Sequence, residues 1–296
     1  MLRAMSFPSP PMPAIESAQS NLTRLYLRYE DITQDARLIP IAIPPALGGL
    51  WHTVLVDHPG ARNAIKQGVL PILTRMTMVA HDQPIRIDRE VEISAGFQLA
   101  HDRDGDAVSR LFMNVWCEIR GVGGRIGKRG DGELIPAGSL FAEHTFTRLL
   151  APPDQRRVVK LDVEGYPAIP DARYSAPAPA TAQEAPEGAR WLEELAPDPA
   201  GHCFTLDQTD SNQHVNSLVY IRLFLEAVNR RLAAGGHSLK VKTKAIDIAY
   251  RKPSFAGDRV RVQLRLYDAA GSLGAAGYIA GDDGKPRCYV RASVGP

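Results

Sequence analysis

The sequence predicts an α+β protein built twice on one plan, an antiparallel sheet wrapped around a single helix. Three observations carry this. The run 214–233 has helical periodicity and is apolar round most of its circumference. Strand patterns of period two follow it in a meander. The first half of the chain repeats the order strand, helix, strands. At 296 residues the chain can fill two units, each of about 150 residues and each with its own core.

The C-terminal half is the easier to read. Cys203 to Gln208 has the pattern of a short strand. In the helix after it, Arg222, Glu226, Asn229 and Arg230 fall at i, i+4, i+7 and i+8 and share one narrow stripe. The residues between them are apolar, from Leu218 through Phe224 to Val228. Such a helix must be covered on most sides, and a curved sheet does this. Gly235-Gly236 ends it. Leu239, Val241 and Thr243 then alternate with Lys240, Lys242 and Lys244. The parity shifts to Ile246, Ile248 and Tyr250, which predicts a β-bulge near Ala245. Further strands are expected at 259–266, 273–280 and 288–294, with a hairpin turn at Asp282-Asp283-Gly284-Lys285.

The N-terminal half is fainter. Leu22 to Ile32 is a strand candidate. Pro44-Pro45 can open a short helix through Leu47, Leu50, Trp51 and Val54, because proline is tolerated in a first turn. Strand-like runs follow at 69–80, 84–98, 108–120 and 139–150. Leu111, Met113, Val115, Cys117 and Ile119 alternate strictly. Residues 1–18, with prolines at 8, 10, 11 and 13, read as a flexible tail. The Ala/Pro-rich stretch 171–190 reads as an extended linker. The expected units are therefore 19–170 and 191–296.

Composition narrows the function. Hydrophobic content of 44% and charged content of 23% are those of a soluble globular protein. A net charge of +2 gives no case for nucleic acid. No apolar window reaches the length of a membrane span, and the N-terminus lacks the apolar core of a signal peptide. Cys117, Cys203 and Cys288 are far apart, which excludes a zinc knuckle and a CxxC pair and suggests reduced thiols in the cytoplasm. His52, His58, His81, His101, His144, His202 and His237 show no metal spacing. Neither a metal nor a resident cofactor is expected. The glycine-rich loop 121–130 fails as a phosphate cradle, with Val122 and Arg129 at positions needing Gly and Ser or Thr.

The chemistry concentrates before the helix. Asp207, Asp210, Asn212, His214 and Asn216 lie within ten positions. They lead into a helix N-terminus, which offers backbone N–H donors and the positive end of a dipole to a carbonyl oxygen. The side chains add a carboxylate, an amide and an imidazole. The alternative is structural: Asp210 and Asn216 as helix caps and His214 as a packing side chain.

The segment Asp210-Ser211-Asn212-Gln213-His214-Val215-Asn216-Ser217-Leu218-Val219-Tyr220-Ile221, with Glu226 beyond, resembles the C-terminal hotdog of the acyl-acyl carrier protein thioesterases. That family runs Asp-x-Asn-x-His-Val-Asn-Asn-x-x-Tyr-Ile with a Glu six residues past the Tyr. Only Ser217 departs from it here. The resemblance is specific over about thirty residues and architectural elsewhere. It implies a tandem of two hotdogs, with Tyr29-Glu30, Asp35 and Arg37 as a fainter echo in the first. It also implies catalytic roles for Asp210, Asn212 and His214. Asn216, Ser217, Tyr220, Glu226 and Ser254 would then contact substrate. The family's catalytic Glu, expected after Tyr250-Arg251-Lys252, falls on Pro253 or Ser254, so the usual acid is missing.

By spacing alone, Glu226 pairs with Arg222 at i, i+4. Lys240, Lys242 and Lys244 on one strand face, with Arg251 and Lys252, could receive an acidic carrier protein or a coenzyme A phosphate, or be a solvated face. The expected function is hydrolysis of an acyl thioester on acyl carrier protein or coenzyme A, the substrate bringing its own phosphopantetheine. The alternatives are dehydration, isomerisation or acyl transfer on a carrier-bound fatty-acid or polyketide chain, and binding of acyl carriers without turnover. A homodimer is a further expectation.

Overall fold

Alternation of apolar and polar side chains sets strands such as 259–266, and strand pairing partitions the chain into two compact units. The computed structural model describes residues 7, 9–126 and 132–296. The expected tail over 1–18 and the loop 121–130 lie partly outside these residues. One unit is Ser9–Pro177, and the other comprises Ala178–Pro296 with Phe7.

The N-terminal unit holds β1 (Ser20–Leu25), β2 (Val69–Ala80), β3 (Val91–Asp104), β4 (Ala107–Val122), β5 (Leu134–Arg148) and β6 (Ala172–Arg173). They pair in the order β1-β3-β4-β5-β2, antiparallel, with the short β6 running parallel to β3 at Ala100 and His101. The expected strand over 22–32 is shorter, and Tyr29–Asp31 is a 3-10 turn, closed by the Asp31 carboxylate accepting the Arg28 N–H at 2.8 Å. The helix on Pro44-Pro45 is present but changes winding along its length. Pro44–Leu47 is 3-10, α1 (Gly48–Leu50) is α-helical, and Trp51–Leu55 is a π-turn. Ile43, Leu47, Leu50 and Leu55 are buried along it. A second helix, α2 (Pro59–Lys66), follows.

Strict alternation in β4 implies one wet face, but Leu111 to Cys117 are buried on both. The second face is covered by segments read as linker and tail. Tyr174 packs edge-on to Phe112 at 5.2 Å, and Trp116 Nε1–H donates to the Pro10 carbonyl at 2.9 Å. Residues 9–18 are therefore partly docked rather than wholly a free tail.

The C-terminal unit contains β7 (Arg190–Trp191), β8 (Ala196–Cys203), β9 (Lys242–Tyr250), β10 (Arg259–Ala269), β11 (Ser272–Gly281) and β12 (Pro286–Gly295). Its order is β9-β12-β11-β10, with β7 and β8 sharing the outer edge of β10. The β8 strand lies upstream of the expected 203–208. Pro197 and Pro199 are tolerated there because they occupy an edge. Leu206–Gln208 is a 3-10 turn whose capping box joins Thr205 and Gln208. The β12–β9 register jumps from Ser293↔Ala245 to Val294↔Thr243, so the expected bulge is present and Lys244 is its extra residue.

The helix α3 (Ser217–Ala234) packs on β8, β10, β11 and β12. Tyr220, Ile221, Leu223, Phe224, Ala227, Val228 and Leu232 are buried, while Arg222, Glu226, Asn229 and Arg230 form the exposed stripe. The helix thus lies where its sequence required, with its apolar faces on a curved antiparallel sheet. The stretch 178–184, expected to be extended, forms a 3-10 turn at Pro179–Gln183 against β9, β11 and β12, with Ala182 fully buried. Alanine packs where a larger side chain would not, and Arg291 fixes the turn's end by donating to the Glu184 carbonyl at 3.2 Å. Among the described residues no helix is long and apolar enough to cross a membrane.

Candidate active site

The predicted cluster is a closed turn at the head of α3. Thr209 and Val215 form an isolated antiparallel bridge. Within it, Asp210 N–H donates to His214 O and Gln213 N–H to Asp210 O, both at 2.9 Å. Gln213 takes φ +64°, the left-handed conformation the turn needs. One carboxylate oxygen of Asp210, Oδ1, accepts the Asn212 N–H at 2.9 Å. Asp210 is half-buried, Asn212 exposed and His214 half-buried, so the three predicted catalytic residues lie on one small loop within reach of solvent.

The capping alternative divides between the two residues. Asn216 caps α3, its Oδ1 accepting Leu218 N–H at 2.9 Å. Val219 N–H goes to Asn216 O at 3.0 Å. Asp210 does not cap α3; its carboxylate holds its own turn.

Behind the turn lies a buried wall. Val215 N–H donates to Ser254 O, and Ser254 N–H donates to the Tyr220 hydroxyl, both at 2.9 Å. Tyr250 donates its hydroxyl to Ser217 O at 3.1 Å, and the Tyr220 ring meets those of Phe204 and Tyr250 edge-on. Burial pushes both phenols up, Tyr250 well above the usual tyrosine range. Tyr220 and Ser254 are 3% and 0% exposed. Of the five expected substrate contacts, these two therefore build the wall and present no surface, because their backbone and hydroxyl groups are turned inward. Ser254 nevertheless lies directly against the turn, and it is one of the two positions, with Pro253, where the resemblance expects an acid.

Glu226 is not paired with Arg222. Its carboxylate lies 3.9 Å from Arg230, one turn further on. Arg230 is held there by a two-pronged bond to Asp198, its shortest contact 2.6 Å, and Asp198 is 2% exposed. Glu226 and Arg230 line a pocket with His202, Leu223, Val260 and Val262. His202 Nε2 in turn bonds Gln208 Oε1 at 3.0 Å, and Gln208 O accepts Asn216 N–H, which ties the pocket wall to the turn. His202 and Asp198 carried no sequence signal, since each acts through a distant partner.

The basic residues are not one face. Lys240 precedes the strand, Lys244 is the bulge residue, and Lys252 pairs with Asp283 at 3.0 Å. The bulge breaks the alternation that would have aligned them. Arg251 is exposed. Among the described residues no three His, Cys, Asp or Glu side chains gather as a metal site would require.

The faint echo in the first half has a structural counterpart. Ile32 and Leu38 form an isolated bridge, Thr33 N–H donates to Arg37 O, Ala36 N–H donates to Thr33 O, and Ala36 takes φ +65°. Each bond repeats one in the 209–215 turn at a constant offset along the chain. Thr33, Asp35 and Arg37 stand where Asp210, Asn212 and His214 stand, and Arg37 binds Asp35 at 2.8 Å. The backbone of the turn is duplicated and its side-chain chemistry is not.

Residues 204–290 match the thioesterase-like superfamily. The fold is a double hotdog, one helix-in-sheet unit in each half. Among solved structures it is similar to an acyl-ACP thioesterase from Bacteroides thetaiotaomicron VPI-5482, at 13% identity and TM-score 0.59 over 93% of this chain and 98% of that one. It is similar to a protein described as an oleoyl thioesterase from Lactobacillus plantarum, at 16% identity and TM-score 0.62 over 95% and 97%. The 12:0-ACP thioesterase of Umbellularia californica aligns at 12% identity and TM-score 0.52 over 96% and 99%. No curated protein sequence matches the chain.

Proposed function

We propose that the C-terminal unit hydrolyses acyl thioesters carried on acyl carrier protein or coenzyme A. The observation that supports this most is the Asp210 carboxylate, set on a closed, partly exposed turn at the head of a buried helix, within the segment that matches the thioesterase-like superfamily. The thioester carbonyl lies against the first turn of α3, where the helix dipole stabilises the developing oxyanion. Asp210 activates water, or attacks directly. Asn212 orients the water or a substrate amide, and His214 accepts or returns the proton. Asn216 and Ser217 hold the helix terminus in place. Lys240, Lys242, Lys244 and Arg251 offer scattered positive charge to an acidic carrier or a phosphate.

Thiol release from a panel of acyl-coenzyme A and acyl-carrier substrates tests this, with Asp210→Asn and His214→Ala as controls. Release abolished in both variants supports the assignment. A second reading rests on the missing acid. With no second carboxylate at Pro253 or Ser254, the same turn suits dehydration, isomerisation or acyl transfer on a carrier-bound chain. A changed acyl mass without free thiol would select it.

A further inference from the structure

A pocket lies in the seam between α3 and β8. Leu223, Val260 and Val262 give it a buried apolar side, and Glu226 and Arg230 give it a polar one. The β8 strand runs alongside α3 in the opposite direction. At one end Arg231 donates to the Ala196 carbonyl at 3.2 Å. At the other, His202 reaches Gln208, whose carbonyl accepts Asn216 N–H. The seam therefore leads from the head of α3, where the 209–215 turn sits, down to Glu226 and Arg230.

Arg230 is fixed in the pocket wall. Its Nε and Nη2 both donate to the buried Asp198. Its Nη1 makes no hydrogen bond among the described residues, and Glu226 Oε2 lies 3.9 Å away, beyond hydrogen-bond reach. The Glu226 side chain is 62% exposed and its carboxylate makes no hydrogen bond either. A donor and an acceptor thus stand side by side, both unused, against a hydrocarbon wall. A cation would be repelled by Arg230 and an anion by Glu226. An acyl chain would take water from both groups and return no hydrogen bond. The complementary occupant is a neutral group with an acceptor and a donor on adjacent carbons and branched hydrocarbon beside them. The volume, about 70 Å³, has room for about five water-sized groups and so admits a short segment only.

We propose that this pocket receives the pantoyl segment of the phosphopantetheine arm. The proposal rests on the thioester reading above and names the subsite that recognises the arm. The pantoyl segment is an α-hydroxy amide followed by a carbon that bears a pair of methyl groups. Its carbonyl accepts from Arg230 Nη1, its hydroxyl donates to Glu226, and its methyl groups lie on Leu223, Val260 and Val262. The reach agrees. Leu223 and Glu226 lie about 10 and 15 Å down the helix from Asn216, at about 1.5 Å per residue. From the thioester sulfur to the pantoyl carbonyl the extended arm covers about 11 Å, the span of about three residues of chain.

The test compares thiol release from two thioesters of the same acyl group. One is on pantetheine, and the other is on N-acetylcysteamine, which ends before the pantoyl segment. In the wild type kcat/KM favours pantetheine by about tenfold or more, because that thioester alone makes the hydrogen bonds to the charged pair. Glu226→Ala, at a side chain exposed enough to leave folding intact, lowers the ratio by about tenfold, chiefly through KM. Glu226→Gln, which keeps an acceptor, retains part of it. A pantetheine thioester without the pantoyl hydroxyl behaves in the wild type as the intact one does in Glu226→Ala, and that variant no longer tells the two apart. A merely structural Glu226 would lower both thioesters alike. A pantetheine preference that is absent in the wild type, or unchanged in Glu226→Ala, overturns the pantoyl subsite and leaves the thioester reading standing. Wild-type protein that releases no thiol from these or from any acyl-coenzyme A or acyl-carrier substrate overturns both.

Discussion

The Tyr220 hydroxyl accepts the backbone N–H of Ser254 at 2.9 Å, joining the first turn of α3 to the segment that faces the 209–215 turn. Both residues are buried, so water cannot replace either partner. Tyr220→Phe leaves a buried N–H unsatisfied at a cost of about 1–3 kcal/mol. Chemical denaturation should show that loss, together with reduced thiol release, because Val215 hangs on the Ser254 carbonyl. Unchanged stability would mean the bond contributes nothing net.

Asn216 tests the head of the helix separately. Asn216→Ala removes the Leu218 cap and should cost about 1 kcal/mol, whereas Asn216→Ser or Asn216→Asp should restore most of it. A substrate role beyond capping would show as lost turnover in the variants whose stability is restored.

Ser254→Glu places a carboxylate at one of the two positions, Pro253 or Ser254, on which the resembled family's acid falls. The buried site raises the pKa of the new group and lowers stability, since a carboxyl replaces a fully buried hydroxyl. Thiol release should nonetheless rise, by about tenfold or more if general acid–base help is what the site lacks. Turnover that stays flat in a folded Ser254→Glu protein would place the limit elsewhere than the missing acid.

His144 gives the N-terminal unit an acid limit. Burial lowers its imidazole from 6.5 to about 4, and its Nδ1 has no partner. Between those values the unfolded chain binds the proton and the folded chain does not, so stability rises with pH. The contribution is complete above about pH 6.5 and is lost as pH falls toward 4, on the order of 3 kcal/mol in all. His144→Phe should flatten that acid limb in denaturation curves taken at pH 7 and pH 4.5. Equal slopes in the two proteins would remove His144 from the account.

Helix α3 was legible because its polar stripe is narrow, and the bulge at Lys244 because it reverses the parity of the strand. The strand edges were harder. Pro197 and Pro199 hide β8, which survives only as an edge, and Tyr29–Asp31 and Leu206–Gln208 are 3-10 turns whose closing bonds come from Asp31 and Gln208 side chains. The covered outer face of β4 depends on Tyr174 and Pro10, which sit in segments with a linker's composition. At the site, the loop could be read as a unit because 210–216 is continuous in sequence. The wall could not, because Tyr220, Tyr250 and Ser254 meet only through the fold. Glu226 turning to Arg230 follows from Asp198, 32 residues upstream of Arg230 and tied to it by no local pattern.

Thiol release from acyl-coenzyme A and acyl-carrier substrates, by the wild type and by Asp210→Asn, tests the central claim most directly. The expected result is free thiol from at least one acyl class, and its loss in a folded Asp210→Asn protein. Thiol release that persists undiminished in Asp210→Asn would contradict it.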